Sequence, residues 1–147
     1  MKSIGYIIFS LLSMVPTGIH AQSISIAKYA DNRQAAISFT FDDGLKEQYT
    51  ILFPKMQELG IKGTFCLIGS RMNQQPKNHE KQTFSWEQAK EMAQDGQEMT
   101  SHGYGHKNVS KLTQDELRYE VQHNDTLIYQ HTGIFPRTYF YPGNRKS

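Results

Sequence analysis

Ala35-Ala36-Ile37-Ser38-Phe39-Thr40-Phe41-Asp42-Asp43-Gly44 is the stretch that decides the fold. Between positions 35 and 41 it is mostly apolar, with aromatic and β-branched side chains, which predicts a buried strand. Asp42-Asp43-Gly44 ends that strand, so two adjacent carboxylates stand at its C-terminal edge. Downstream, Leu45, Tyr49, Leu52, Phe53, Met56 and Leu59 recur at helical spacing, Gly60 supplies a stop, and Pro54 should kink or divide the helix. A second strand is expected over 63–68, then a polar surface loop over 69–83 carrying Asn73, Pro76 and Asn78.

Ser85 with Gln88 has the makings of a capping box, opening a helix that runs to Asp95-Gly96. A short strand over 97–100 then delivers Ser101-His102-Gly103-Tyr104-Gly105-His106 at its end. Thr113 with Glu116 is a second capping box, and its helix passes Leu117, Val121, Leu127 and Ile128 before Gly133. Residues 137–141 read as a last strand, broken by Pro142-Gly143. The order β-α-β-α-β-α-β predicts an α/β fold of parallel strands with crossover helices.

No repeat, low-complexity tract or linker interrupts residues 35–147, which read as one domain after an export signal (1–21) and a leader (22–34). The export signal is read from Lys2, the mostly apolar run from Ile4 to Val15, and Ile19-His20-Ala21 as a cleavage point before Gln22. That run is shorter than the ~20 residues that span a membrane, so a secreted or periplasmic protein without a stable anchor is expected. The last strand would leave a bare sheet edge or an unfinished barrel, so the sequence is expected to continue past Ser147.

The 147 residues carry a formal charge of +2, which makes no electrostatic case for nucleic acid. Hydrophobic residues at 37% and aromatics at 12% exceed what a disordered chain carries, so a globular fold follows. A single cysteine, Cys66, excludes an intramolecular disulfide and a cysteine metal cluster. Its neighbours Phe65, Leu67 and Ile68 make it a buried, inert thiol.

In parallel α/β folds functional groups gather at the C-terminal ends of strands. Such ends here carry Asp42-Asp43, the segment from His102 to His106, and Tyr141-Pro142-Gly143. Two imidazoles and a carboxylate are a common ligand set for a catalytic divalent metal: zinc by default, or cobalt, nickel, iron or manganese. Of the adjacent carboxylates, one can ligate while the other takes a proton from water, which points to metal-assisted hydrolysis.

Each piece also has an ordinary explanation. Asp-Asp-Gly is a common turn or helix N-cap, and His-x-x-x-His on a helix usually marks two solvated or core histidines. Gly103 and Gly105 oppose a regular helix and favour a tight convergent loop. His20, His79, His123 and His131 have no carboxylate partner in view and read as structural or solvated, and Trp86 and Tyr49 as packing residues. Asn108 and Asn124 match Asn-x-Ser/Thr.

Thr40-Phe41-Asp42-Asp43-Gly44 and Ser101-His102-Gly103-Tyr104-Gly105-His106 resemble the first two motifs of the NodB-homology polysaccharide deacetylases, carbohydrate esterase family 4. Lys62-Gly63-Thr64-Phe65 and Gly96-Gln97-Glu98 resemble that family too, so the likeness covers residues 35–144. The resemblance implies a distorted (β/α) barrel, incomplete here, in a hydrolase that removes N- or O-acetyl groups from chitin-like glycans, peptidoglycan or xylan. It makes Asp42 the general base and Asp43, His102 and His106 the metal ligands, with an acetylated polysaccharide or oligosaccharide as partner.

The family's third motif has an arginine, any residue, a proline and an aromatic. Aligned on Pro142, this chain has Phe140 at the arginine position and Gly143 at the aromatic one. The Gly143 backbone N–H is the implied oxyanion donor, and Arg137 and Arg145 are candidates for the arginine's task. An aspartate-tryptophan segment and a leucine-x-histidine bearing the general-acid imidazole would lie beyond Ser147. Two other classes stand beside the hydrolase. One is a catalytically impaired glycan- or metal-binding module, to which Phe140 points; the other is an amidohydrolase for a small non-sugar amide, against which the export segment weighs.

Overall fold

The computed structural model of the chain describes residues 26, 28–73 and 82–144. The expected export segment with its cut after Ala21, His20, His79, Arg145 and the middle of the 69–83 loop lie outside the described residues. Those described fall in two units divided between Ala36 and Ile37. In the first, a 3-10 turn at Ala30–Asn32 is closed by the Arg33 N–H donating to Ala30 O at 3.2 Å. The second carries the sheet.

Strands β1 (Thr40–Asp42), β2 (Thr64–Leu67) and β3 (Glu98–Ser101) run parallel in the order β1-β2-β3. The register sets Asp42 opposite Cys66 and Leu67 opposite Ser101, and the His102 N–H still donates to Leu67 O at 3.0 Å. Both histidine and carboxylate motifs therefore leave the sheet at the same edge.

β1 is shorter than the expected 35–41 strand, and Ile37 is 79% exposed. Phe39 O accepts the Thr64 N–H at 2.9 Å, but the chain ahead of Gly63 turns back, with the Ile61 N–H donating to Met56 O at 2.9 Å. Residues before Phe39 thus face no ladder partner, and their backbone stays with solvent. The expected strand over 137–141 is likewise reduced to one parallel bridge, Ser101 with Tyr139, beside a Phe140 N–H donating to Ser101 O at 2.9 Å. Pro136 and Pro142 flank this segment and offer no N–H to lengthen a ladder. The Thr100 hydroxyl stands in for a backbone donor, reaching Thr138 O at 2.5 Å.

The first helix is divided, as Pro54 requires. A π-helical turn, Gln48–Leu52, leads into α1 (Phe53–Leu59), and the Phe53 N–H donates to Gln48 O. The wider turn absorbs the break made by a proline that has no N–H. The third helix is divided too, into α3 (Gln114–Arg118), a π turn at Tyr119–His123, and α4 (Asn124–Thr132). Left-handed glycines stop both, Gly60 at φ 64° and Gly133 at φ 78°. The 69–83 segment is not surface throughout: Gly69, Met72 and Thr83 are buried. No helix among the described residues is long and apolar enough to cross a membrane.

Between them, α2 (Trp86–Gln94) starts on the capping box read from sequence. The Gln88 N–H donates to Ser85 Oγ at 3.2 Å, and the Ser85 N–H to Gln88 Oε1 at 2.8 Å. Trp86, Ala89 and Met92 join one core with Phe65, Leu67, Met99 and Ile128. Ser85→Ala removes an acceptor that the helix N-terminus needs and should cost about 1 kcal/mol, seen as a lower urea midpoint with unchanged slope. An unmoved midpoint would count against the cap. Cys66 is fully buried in β2, and that burial, ahead of the Asp42 charge, pushes its thiol well above the usual range. A thiol reagent should therefore label it only as fast as the protein unfolds, and rapid labelling of the native chain would contradict the packing.

Candidate metal centre

β1 ends in Asp42 and β3 in Ser101, so the two motifs meet at neighbouring points of one sheet edge. Asp43 and His106 both have left-handed backbone, φ 75° and 56°. Outside glycine that conformation costs roughly 1–3 kcal/mol and persists where the surroundings impose it. Here the two strained residues bring their side chains to the same place.

His106 Nε2 lies 3.5 Å from Asp43 Oδ1, and His102 Nε2 lies 3.8 Å from that oxygen and 3.9 Å from Asp42 Oδ2. Ligand atoms of Asp43, His102 and His106 all fall within 4.8 Å of one another. These separations are too long for hydrogen bonds. They approach the roughly 3.4 Å between atoms that share one tetrahedral ion at about 2.1 Å.

His102 is 2% exposed, and its Nδ1 lies 2.9 Å from Phe140 O. A carbonyl can only accept, so Nδ1 carries a proton and Nε2 is the ring atom turned to the centre. An outer carbonyl that fixes the tautomer in this way is the usual support of a metal-binding imidazole. His106 is held below its ordinary pKa first by burial, then by His102 and Arg71, with Asp43 and Asp42 pulling the other way. Neutral imidazole is the ligating form, so the donor set, its protonation and its spacing fit a divalent ion. Asp42 stands apart, its side chain 51% exposed against 23% for Asp43. Its backbone is tied down by the Gln48 amide, which donates to Asp42 O at 2.6 Å.

All three residues expected as ligands are thus brought together, with Asp42 beside them. Gly143 is exposed, at φ 66° in the Pro142–Asn144 turn, behind a buried Pro142. Arg137 does not serve the centre: it lines a cleft with Gly96, Gln97, Glu98 and Met99, toward the N-terminal end of β3. His123 packs on Tyr104 and Tyr119 at 4.6 and 4.7 Å, and His131 stacks on Trp86 at 4.5 Å, so neither joins the cluster. Tyr49 is a packing residue, stacked on Phe53 and donating its hydroxyl to Glu91 Oε2 at 2.7 Å.

Asn124 is fully buried, with its amide donating to Leu67 O and Ser101 Oγ, both at 2.9 Å, which removes it as a glycosylation acceptor. Sequence reasoning missed the Phe140 carbonyl, the Arg71 charge and Glu120. Glu120 and Asn124 left one trace: they are polar residues at the helical spacing of the apolar stripe Leu117, Val121 and Ile128.

The profile of the family described as "Polysaccharide deacetylase" matches residues 29–147. The chain belongs to that family. A peptidoglycan-N-acetylglucosamine deacetylase of Bacillus cereus is 26% identical over 105 residues, 71% of this chain and 34% of that protein. A solved T48 deacetylase with substrate is 28% identical with a TM-score of 0.62, covering 75% of this chain and 50% of that one. The Streptococcus pyogenes deacetylase PplD, solved with acetate, has a TM-score of 0.69 at 19% identity, covering 78% and 49%, a likeness of fold alone. The chain thus spans 34–36% of the first curated relatives and about half of these solved ones. Its parallel sheet with crossover helices is part of the NodB-homology (β/α) barrel.

Proposed function

We propose that the protein is a metal-dependent hydrolase that removes N- or O-acetyl groups from an extracellular or cell-envelope polysaccharide. The observation that carries the proposal is the convergence of Asp43, His102 and His106 within 4.8 Å at the edge where β1 and β3 end. Those three residues would hold the ion, zinc first, with cobalt, nickel, iron or manganese accepting the same donors. When bound, it supplies a Lewis acid that acidifies water and polarises the acyl carbonyl.

The remaining steps belong to the chain. Asp42, outside the three-ligand set and open to solvent, takes the proton of the attacking water. Gly143, in a turn just past the carbonyl that orients His102, offers its N–H to the acyl oxygen as negative charge develops there. The products are acetate and a free amine or hydroxyl on the sugar. The named substrate of the Bacillus cereus relative supports an acetylated glycan. Residues 1–21 would direct export, 22–34 would be a leader, and 35–147 would form the deacetylase domain, in a secreted or periplasmic protein.

Acetate release from acetylated chito-oligosaccharides tests this. The full-length protein should release acetate, lose that activity to background with a chelator, and regain it with added zinc. Release that ignores the chelator would refute metal dependence. Phe140 at the motif's arginine position keeps a second reading in play, a glycan- or metal-binding module without turnover. Tight zinc binding with no acetate from any acetylated glycan would favour that module.

A further inference from the structure

Glu120 is an acidic residue buried where a polar side chain is costly. It is 1% exposed, on the π turn Tyr119–His123. Its Oε2 accepts the Gly105 N–H at 2.7 Å, and its backbone carbonyl accepts the Tyr104 N–H at 3.0 Å. Lys107 Nζ lies 3.5 Å from its Oε1. One residue thus grips the loop that joins His102 to His106 and continues to Lys107. From the other side, the Ser70 N–H donates to Tyr104 O at 3.0 Å.

The loop is shaped to admit this carboxylate. A Cβ on Gly103 would come within 3.0 Å of the Tyr139 hydroxyl and 3.2 Å of Glu120 Oε2, and one on Gly105 within 3.0 Å of Glu120 Oε1. Neither position has room for a methyl group without something shifting. A buried carboxylate is expensive unless hydrogen-bonded and paired, and an apolar residue at this stripe position would pack without that cost. The proposed hydrolysis leaves Glu120 no direct part. Its two hydrogen bonds to the loop end on peptides between two histidines, one of which, His106, is held at φ 56°.

We propose that Glu120 is a positioning residue that fixes the separation of His102 and His106, and thereby the affinity of the centre for a divalent ion. The proposal rests on the metal reading above. The π turn contributes by seating Glu120 on the inner side of its helix, under the loop, and such turns are frequent at functional sites.

Zinc dissociation constants, measured on the full chain by competition with a chromophoric chelator, test it alongside the visible spectrum with cobalt. Glu120→Ala should weaken zinc binding about 10- to 100-fold, the usual effect of losing an outer-shell partner. Glu120→Gln keeps an acceptor for the Gly105 N–H and should restore most of the affinity. Gly105→Ala leaves Glu120 in place but wedges a Cβ between loop and carboxylate, and should weaken binding in the same direction. Cobalt bands should shift in Glu120→Ala and Gly105→Ala, a change of ligand geometry that a loss of stability alone does not produce.

Wild-type zinc constants and cobalt spectra in both variants would overturn the assignment. Where Glu120→Ala fails to fold, Gly105→Ala decides by the same criterion. A wild-type chain that binds no zinc overturns the metal reading and this proposal together, whereas normal wild-type binding with unaltered variants overturns Glu120 alone.

Discussion

Replacing His102 with alanine is expected to abolish tight zinc binding and acetate release together. Its ring is 2% exposed and held by Phe140 O at 2.9 Å, which fixes Nε2 facing Asp43. Loss of an outer partner typically weakens a metal site 10- to 100-fold, and loss of a ligand from a three-residue set should exceed about 100-fold. His131→Ala is the control, because that ring stacks on Trp86 and stands outside the cluster. Isothermal titration with zinc on both variants separates the cases. Equal losses would mean that His102 matters for folding rather than for the ion.

Asp42→Asn is expected to act on the other half of the chemistry. Asp42 Oδ2 lies 3.9 Å from His102 Nε2, and the residue is absent from the three-atom ligand set. An asparagine keeps the shape and removes the base. The turnover number should fall roughly 100- to 10,000-fold, the range for one general acid or base, while zinc affinity stays within a few-fold of wild type. Asp43→Asn should do the reverse and lose the metal first. Identical behaviour of the two variants would mean that the carboxylates do not divide the work.

Much of the centre is legible in the sequence because its parts are local. Asp42-Asp43-Gly44 and the His102 to His106 segment each sit at the end of an apolar run, and parallel β-α-β order sends those ends to one edge. The capping boxes at Ser85 and Thr113 depend on residues three apart and are equally plain. What the sequence hides depends on distant partners. Residues 35–38 have the composition of a strand, yet the chain before Gly63 turns away and leaves them without a ladder partner. Residues 137–141 look extended, but prolines at 136 and 142 confine their pairing to one bridge.

Glu120 is hidden for another reason. A glutamate in a helix is ordinary, and its burial goes with a π turn and with glycines at 103 and 105 that leave room for its carboxylate. Its place on an apolar stripe is the single clue. The Phe140 carbonyl leaves none, because a backbone acceptor has no sequence signature and the aligned arginine position draws attention to the side chain instead.

The proposed chemistry depends on Asp43, His102 and His106 holding one divalent ion. Anomalous scattering at the zinc edge, from crystals of the metal-replete protein, tests it most directly. A single strong peak is expected about 2.0–2.2 Å from an Asp43 oxygen and from both imidazole Nε2 atoms, with Asp42 outside bonding distance. No peak there under metal-replete conditions, or a peak that one of the imidazoles turns away from, would contradict it.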